Sequence, residues 1–201
     1  MGGDVQRADY RPLKASKAPE GTGVHQPGTY TTVAVDSPAI SVMTDLRQVS
    51  AATIHAEESL TEATRTMISR GVRLLLVLGS TGELVGLITA RDTSGEGPIK
   101  LLQERRAKFG ELRVTDLMVP RRDIEILDLA DVLRSQVGHI VSTLKASGRQ
   151  HALVADRDAA TGETRIRGVF SATQIGRQLG IAVQPFEVAN TFAEIEKALY
   201  D

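Results

Sequence analysis

The fold of this chain is decided by the stretch Gly71-Val-Arg-Leu-Leu-Leu-Val-Leu-Gly-Ser-Thr-Gly-Glu-Leu-Val-Gly-Leu-Ile-Thr-Ala-Arg-Asp92. Its segment Val72 to Leu78 is almost entirely apolar and rich in β-forming residues, a pattern typical of a strand buried on both faces. A Gly-Ser-Thr-Gly turn follows, and Leu84 to Thr89 has the composition of a second strand. The stretch therefore predicts a β-hairpin.

The hairpin ends in the motif Gly86-Leu-Ile-Thr89-Ala-Arg-Asp92, which places a hydroxyl and a carboxylate three residues apart where the strand gives way to a helical turn. The free N–H groups and the dipole at the start of a helix make such a place a candidate anion site. Thr89 and Asp92 can instead cap the helix by accepting hydrogen bonds from its first N–H groups. The two roles are compatible, and the sequence leaves both open.

The motif has a second copy. Gly168-Val-Phe-Ser171-Ala-Thr-Gln174 repeats its spacing, and the segment 148–155 precedes this copy as 71–78 precedes the first. Val42-Met43-Thr44 and Leu117-Met118-Val119 mark the start of each repeat. An internal repeat of this kind predicts two like structural units.

Composition narrows the function classes. The 201 residues carry a formal net charge of −1, so no general attraction to nucleic acid or to an anionic membrane is expected. The absence of cysteine excludes disulfides, thiolate zinc sites and thiol nucleophiles. No apolar run approaches the ~20 residues that span a bilayer, and the four histidines are scattered without metal-binding spacing. We expect a cytoplasmic protein without a metal site.

The two motif copies, with matching strands and helices before them, resemble the cystathionine-β-synthase (CBS) domain family over roughly Val42 to Gly180, in particular the small stand-alone proteins with one tandem pair. The resemblance implies an α/β (α+β) fold in which two β-α-β-β-α units pack with pseudo-two-fold symmetry. The clefts between such units bind adenine nucleotides, which implies AMP, ATP, NAD or S-adenosylmethionine as the ligand. Such pairs typically assemble as homodimers in which four units form a disc.

On this resemblance the chain divides into a flexible N-terminal arm (1–40), a first CBS domain (41–96), a connecting helix (97–112), a second CBS domain (113–180) and a C-terminal helical extension (181–201). Ser59-Leu-Thr-Glu62 is a capping box that predicts the start of a helix, and Gly71 supplies its end. The other predicted elements are an edge strand (30–35), a short entering strand in each unit (54–55 and 124–126), a helix after Pro98 (99–109) and a final helix (192–200).

The resemblance assigns roles to the first motif residue by residue. Asp92 is expected to hold a ribose diol and Thr89 to help hold phosphate. Apart from the resemblance, Arg91 projects from the same turn, and its forked guanidinium suits a phosphate. In the second copy Gln174 stands where the family has aspartate, and a neutral amide is a poorer acceptor for a diol. Ser171 is retained with Thr173 beside it, and three outcomes stay open for this second cleft: empty, another ligand, or packing only.

In the family the base lies against the entering strand and the first hairpin strand. The matching residues here are Thr53, Ile54, His55, Val72, Arg73 and Leu74 in the first unit, and His151 and Ala152 in the second. The apolar members of this set would also suit a plain core, and His151 would suit either a phosphate contact or a structural role.

Two functions follow. The first is a non-catalytic regulatory sensor that binds an adenine nucleotide between the paired units and signals to an effector protein. The alternative is a structural dimerisation adaptor with no nucleotide ligand. Enzymatic activity is not expected, because the sequence pairs no nucleophile with a base.

Overall fold

The computed structural model describes residues 16–22, 32–106, 108–158 and 160–181, without the side chain of Phe109. Most of the predicted N-terminal arm and the whole of the predicted helix 192–200 lie outside these residues. Within them, no helix combines the length and the apolar character needed to cross a membrane.

The described residues form eight strands, seven α-helices and three short 3-10 helices. The strands are Thr44–Asp45 (β1), Thr53–His55 (β2), Leu74–Leu78 (β3), Leu84–Thr89 (β4), Val119–Pro120 (β5), Ile126–Asp128 (β6), His151–Arg157 (β7) and Thr164–Ser171 (β8). The α-helices are Leu60–Arg70 (α1), Ala90–Ser94 (α2), Glu96–Arg105 (α3), Val114–Leu117 (α4), Leu129–Leu133 (α5), Val137–Ser147 (α6) and Ala172–Gln178 (α7). Short 3-10 helices cover Ala39–Val42, Phe109–Glu111 and Arg121–Asp123.

The strands form two four-stranded sheets of the same design. One sheet has the order β2-β3-β4-β5 and the other the order β6-β7-β8-β1. In each sheet the entering strand runs parallel to the first hairpin strand, and the two hairpin strands are antiparallel. The predicted α/β class and the two like units are confirmed.

Local sequence signals fix the longer helices. Ser59 Oγ accepts a hydrogen bond from the Glu62 backbone N–H at 3.1 Å, which caps the start of α1. Gly71 ends that helix with φ of 63°, and Gly148 ends α6 with the same φ. This left-handed conformation carries no steric penalty for glycine, which is why both helices stop there.

Three predicted elements differ in the structure. The entering strand of the second repeat is β6, two residues later than 124–126, and the helix predicted over 99–109 is α3 at 96–105. Arg106 adopts φ of 52°, which ends α3 before residue 109. No strand forms over the described part of 30–35, because Val33 N–H donates to the carbonyl of Gln178 at the end of α7 instead of to a sheet edge.

Each sheet is completed by a short strand from the other repeat. β1 pairs antiparallel with β8, so that Thr44 lies opposite Val169. β5 pairs antiparallel with β4, so that Val119 lies opposite Leu87. A largely buried ion pair between Asp45 and Arg167 further joins β1 to β8. The segments that open each repeat in the sequence therefore lie against the opposite sheet.

The buried cores follow the same exchange. Ala39 and Val42 are buried in the core of the second repeat with residues of α6 and α7. Val114 is buried in the core of the first repeat with residues of α1. The sheets meet across a third cluster, whose buried members are Leu74, Leu76, Leu87 and Leu153. The domain boundaries at 41–96 and 113–180 stay a prediction.

The exchanged strands explain the glycine that opens each motif. A Cβ at Gly86 would come within 2.8 Å of the Val119 carbonyl oxygen and 2.6 Å of Met118 Sδ. A Cβ at Gly168 would come within 2.4 Å of Met43 Sδ, and its three nearest atoms all belong to the Met43 side chain. At Gly86 only glycine lets the two backbones approach this closely, whereas at Gly168 the missing side chain makes room for the Met43 side chain.

The Gly86→Ala substitution should be more damaging than Gly168→Ala. The first meets a backbone oxygen that cannot move without breaking the β4–β5 pairing, whereas the second meets a flexible methionine that can change rotamer. We expect the free energy of unfolding to fall by about 2–3 kcal/mol for Gly86→Ala and by about 1 kcal/mol for Gly168→Ala. Urea denaturation measures both, and equal losses would contradict this account of the exchange.

Candidate functional site

Two clefts lie between the sheets, one beside each copy of the motif. The register of the hairpins makes them equivalent, because Leu74 lies opposite Thr89 in the first repeat and His151 lies opposite Ser171 in the second. In both repeats the first N–H of the short helix donates to the hairpin: Ala90 to the carbonyl of Arg73, and Ala172 to that of Gln150. We name the two spaces the Asp92 cleft and the Gln174 cleft after the residue at the seventh and last motif position of each.

The Asp92 cleft is narrow, with a volume of about 160 Å³. Ligand sites for drug-sized molecules usually occupy ~300–1,000 Å³. Its walls are Leu74, Leu87, Thr89, Arg91, Asp92, Val119, Gly148, Arg149, Gln150 and His151. The three residues predicted at the first motif are thus together, but in a space smaller than a nucleotide site normally has.

The Asp92 carboxylate is engaged within the protein. Its Oδ2 accepts hydrogen bonds from the Thr89 backbone N–H at 2.8 Å and from the Thr89 hydroxyl at 2.7 Å. The Thr89 hydroxyl therefore donates a hydrogen bond to the carboxylate that is predicted from the sequence to hold a ribose. The capping role of Asp92 is thus observed, because it accepts a hydrogen bond from the N–H of Thr89, the residue before α2, while the ligand role of both residues stays a prediction.

The Gln174 cleft is larger, with a volume of about 420 Å³. It combines apolar walls with polar and charged side chains from both repeats. Its walls are Thr44, Leu46, Val49, Ser50, Ala51, Ala52, Arg70, Gly71, Val72, Arg73, Leu74, Leu76, His151, Val169, Ser171, Thr173, Gln174 and Arg177. The cleft that the sequence left undecided is therefore the one of ligand size.

The charges that line the Gln174 cleft are all positive. Arg70 and Arg73 come from the first repeat and Arg177 from the second, and none of the described residues that line the cleft is an aspartate or a glutamate. Burial, and then the nearby Arg177 guanidinium, lower the pKa of Arg73, which remains a cation at neutral pH. Such a concentration of one sign of charge in a cleft attracts anions.

Hydrogen bonds to nearby residues hold the Arg70 and Gln174 side chains in this cleft. Arg70 Nη2 donates to the carbonyls of Ser50 at 3.2 Å and Ala51 at 3.4 Å, which ties the end of α1 to the segment before β2. The Thr44 hydroxyl donates to Gln174 Oε1 at 3.3 Å, so the exchanged strand β1 positions the Gln174 amide.

His151 lines both clefts. Burial, and then the positive charge of Arg73, lower its pKa from 6.5 to about 4. The imidazole is therefore neutral at pH 7 and offers one N–H donor and one acceptor nitrogen.

Four predicted site residues line neither cleft. Ile54 is buried in the core of the first repeat, Thr53 and His55 are exposed, and Ala152 packs against the core of the second repeat. The segment before β2 that lines the Gln174 cleft is 49–52, and the ligand role of Thr53, Ile54, His55 and Ala152 stays a prediction.

Arg70 and Arg177 line the Gln174 cleft, although no sequence motif predicts them. Arg177 lies three residues after Gln174 in α7, so both side chains lie on the same face of that helix, and this spacing was a usable signal. Arg70 immediately precedes the glycine that ends α1, and its role becomes visible only when the two repeats are packed together. Among the residues described, no group of three or more His, Asp or Glu side chains is placed to hold a metal ion.

Comparison with known proteins finds a family of similar sequence and solved structures of similar fold. Residues 39–93 match the family model described as the CBS domain. Among curated proteins, none matches the sequence significantly.

Solved structures of low sequence identity share the CBS-pair fold. An uncharacterized conserved protein from Pyrococcus horikoshii is 18 % identical with a TM-score of 0.53, and the match covers 76 % of this chain and 98 % of that one. The CBS-domain containing protein ATU1752 from Agrobacterium tumefaciens is 16 % identical with a TM-score of 0.50, covering 78 % and 98 %. CBSX2, a CBS-pair protein from Arabidopsis thaliana, was solved in complex with AMP; it is 20 % identical with a TM-score of 0.50, covering 70 % and 94 %. The predicted resemblance to paired CBS domains is confirmed.

Substitutions at the matched positions Asp92 and Gln174 test whether Asp92 caps the start of α2. Replacing Asp92 with alanine removes the acceptor of two short hydrogen bonds, so Asp92→Ala should lower the free energy of unfolding by about 1 kcal/mol without nucleotide. Gln174→Ala removes one contact of 3.3 Å and should cost less than half of that. Chemical denaturation of both variants in nucleotide-free buffer compares them, and a larger loss for Gln174→Ala would refute the capping assignment.

The lowered pKa of His151 predicts a pH dependence. Between pH 6.5 and about 4 the unfolded chain binds a proton that the folded chain excludes, so this contribution to stability is present above pH 6.5 and is lost as the pH falls through that window. We expect the free energy of unfolding to fall from pH 7 to pH 4.5 by on the order of 2 kcal/mol more in the wild type than in His151→Gln. Carboxylates titrate alike in both proteins, so parallel pH profiles would contradict the assignment.

Proposed function

We propose that this CBS-domain chain is a non-catalytic sensor that binds an adenine nucleotide in the Gln174 cleft and signals the bound state to a partner protein. The observation that carries the proposal is a cleft of about 420 Å³ between the repeats, lined by three arginines and by no carboxylate of the described residues. The fold is that of CBSX2, which was solved with AMP, and this supports an adenine nucleotide as the class of ligand.

The two kinds of wall in the cleft suit the two ends of a nucleotide. Leu46, Val49 and Val169 are among the apolar side chains that can cover the faces of a base. The guanidinium groups of Arg73 and Arg177 can donate paired hydrogen bonds to phosphate oxygens. The ligand would therefore lie with its base on the apolar wall and its phosphate at the arginines.

A physical link joins binding to conformation. Arg73 belongs to the first repeat and Arg177 to the second, and their charges lie close enough for Arg177 to lower the pKa of Arg73. A phosphate between them replaces this repulsion with two attractions, so it favours the arrangement in which the repeats are held together. Binding that differs between two arrangements shifts their populations, which is the signal a partner reads. The partner, and the assembly of two chains into a four-domain disc, are part of this proposal.

The second candidate function is a structural adaptor without a nucleotide ligand. It is favoured by the Asp92 cleft, where the carboxylate that the motif would use for a ribose caps its own helix in a space of about 160 Å³. Under this alternative both clefts are packing features, and no nucleotide stabilises the fold.

Thermal unfolding with AMP, ADP and ATP separates the two functions. A ligand that binds only the folded chain at 100 times its Kd adds about 2.7 kcal/mol, which should raise the Tm by about 5–10 °C. Arg177→Ala should weaken nucleotide binding about tenfold or more, because it removes a charge-assisted hydrogen bond to phosphate. Arg177 is exposed, so its loss should leave the fold intact.

The control variant is Arg91→Ala, which removes an exposed arginine from the Asp92 cleft. We expect titration calorimetry to give it the affinity of the wild type. Loss of binding in Arg91→Ala with full binding in Arg177→Ala would move the ligand to the Asp92 cleft. No Tm shift with any of the three nucleotides at millimolar concentration would favour the adaptor.

A further inference from the structure

The two motif copies place different groups at one structural position. Thr89 and Ser171 hold equivalent places at the ends of β4 and β8, and Asp92 and Gln174 follow each of them by three residues. A carboxylate in general accepts hydrogen bonds from a ribose diol, and its charge repels a phosphate on the same sugar. The exchange to glutamine removes both effects from the larger cleft.

The hydrogen bonds of Gln174 leave donors for a ligand. The Thr44 hydroxyl engages the amide oxygen at 3.3 Å, and the amide nitrogen carries two N–H groups that can only donate. A phosphate oxygen can only accept, whereas the hydroxyls of a free diol need an acceptor as well. The Gln174 side chain, held in this way by β1, suits a phosphate better than a diol.

A positive charge stands on the same helix face. Arg177 follows Gln174 by three residues in α7, is exposed and lines the same cleft. In dinucleotide-binding proteins in general, an acidic residue selects a free ribose and a neighbouring arginine without that acid accommodates a ribose phosphate. Gln174 and Arg177 correspond to the arrangement for a ribose phosphate, because they combine an arginine with a neutral residue in place of the acid.

We infer that the Gln174 cleft selects adenine nucleotides that carry a further phosphate on the ribose, at the 2′ or 3′ position, over nucleotides with a free diol. The inference rests on the proposed function, since it names the substrate class of the same cleft. Gln174 and Arg177 contact the ribose phosphate, and the phosphate at the 5′ end lies between Arg177 and Arg73, as in the proposed function.

The test compares ligands with the same number of phosphates. Adenosine 2′,5′-bisphosphate and adenosine 3′,5′-bisphosphate are titrated against ADP, which carries two phosphates at the 5′ end and a free diol. We expect the wild type to bind at least one bisphosphate about tenfold more tightly than ADP. In Gln174→Asp the carboxylate should reverse this preference, weakening the bisphosphate at least tenfold while ADP changes little or gains.

The outcomes separate the two proposals. A wild type that binds ADP as tightly as both bisphosphates, or a preference that Gln174→Asp leaves unchanged, would overturn the inference while the proposed function stands. A chain that binds none of the three ligands would overturn the proposed function and the inference together. Gln174→Ala, which lacks both the amide and the carboxylate, supplies a second variant: it should lose most of the bisphosphate preference without repelling either ligand.

Discussion

The structure depends on two short strands that each repeat gives to the other. β1 lies beside β8 and β5 beside β4. Gly86 leaves room for the backbone of β5, and Gly168 leaves room for the Met43 side chain next to β1. The two repeats therefore share their sheets and part of their cores. The clefts lie where the shared sheets meet, and the exchanged strand β1 reaches into one of them, where Thr44 holds Gln174.

Local sequence patterns predicted the elements that have local causes. The capping box at Ser59, the glycines that end α1 and α6, and the hairpin of β3 and β4 all follow from interactions within a few residues. The exchange of strands had no such signal, because β1 and β5 are two residues long and show no periodicity. Ile126 illustrates a further limit: it is apolar but 47 % exposed, so the hydrophobic pattern placed the entering strand two residues too early.

The same spacing of residues serves different purposes in the two clefts. Asp92 turns back to its own helix, whereas Gln174 contacts a strand from the other end of the fold. The motif spacing is enough to identify positions 92 and 174 and to show that glutamine replaces aspartate in the second copy. It could not compare the clefts, because their volumes depend on how two sheets are packed and on arginines such as Arg70 that lie outside the motif. The position that looked degenerate in the sequence therefore lines the larger space.

The strand exchange also sets the order of events when the chain is synthesised. Asp45 of β1 leaves the ribosome early, but its partner Arg167 in β8 is 122 residues further along the chain. At ~5–20 residues per second, β1 waits roughly 6–25 s before its pairing surface exists. Neither sheet is complete until β5 has been made, and the sheet of the second repeat stays open until β8 has been made, so the nascent chain exposes open strand edges of the kind that other chains can join. The strand exchange that joins the two repeats in the folded protein therefore leaves the chain most exposed to aggregation while it is being synthesised.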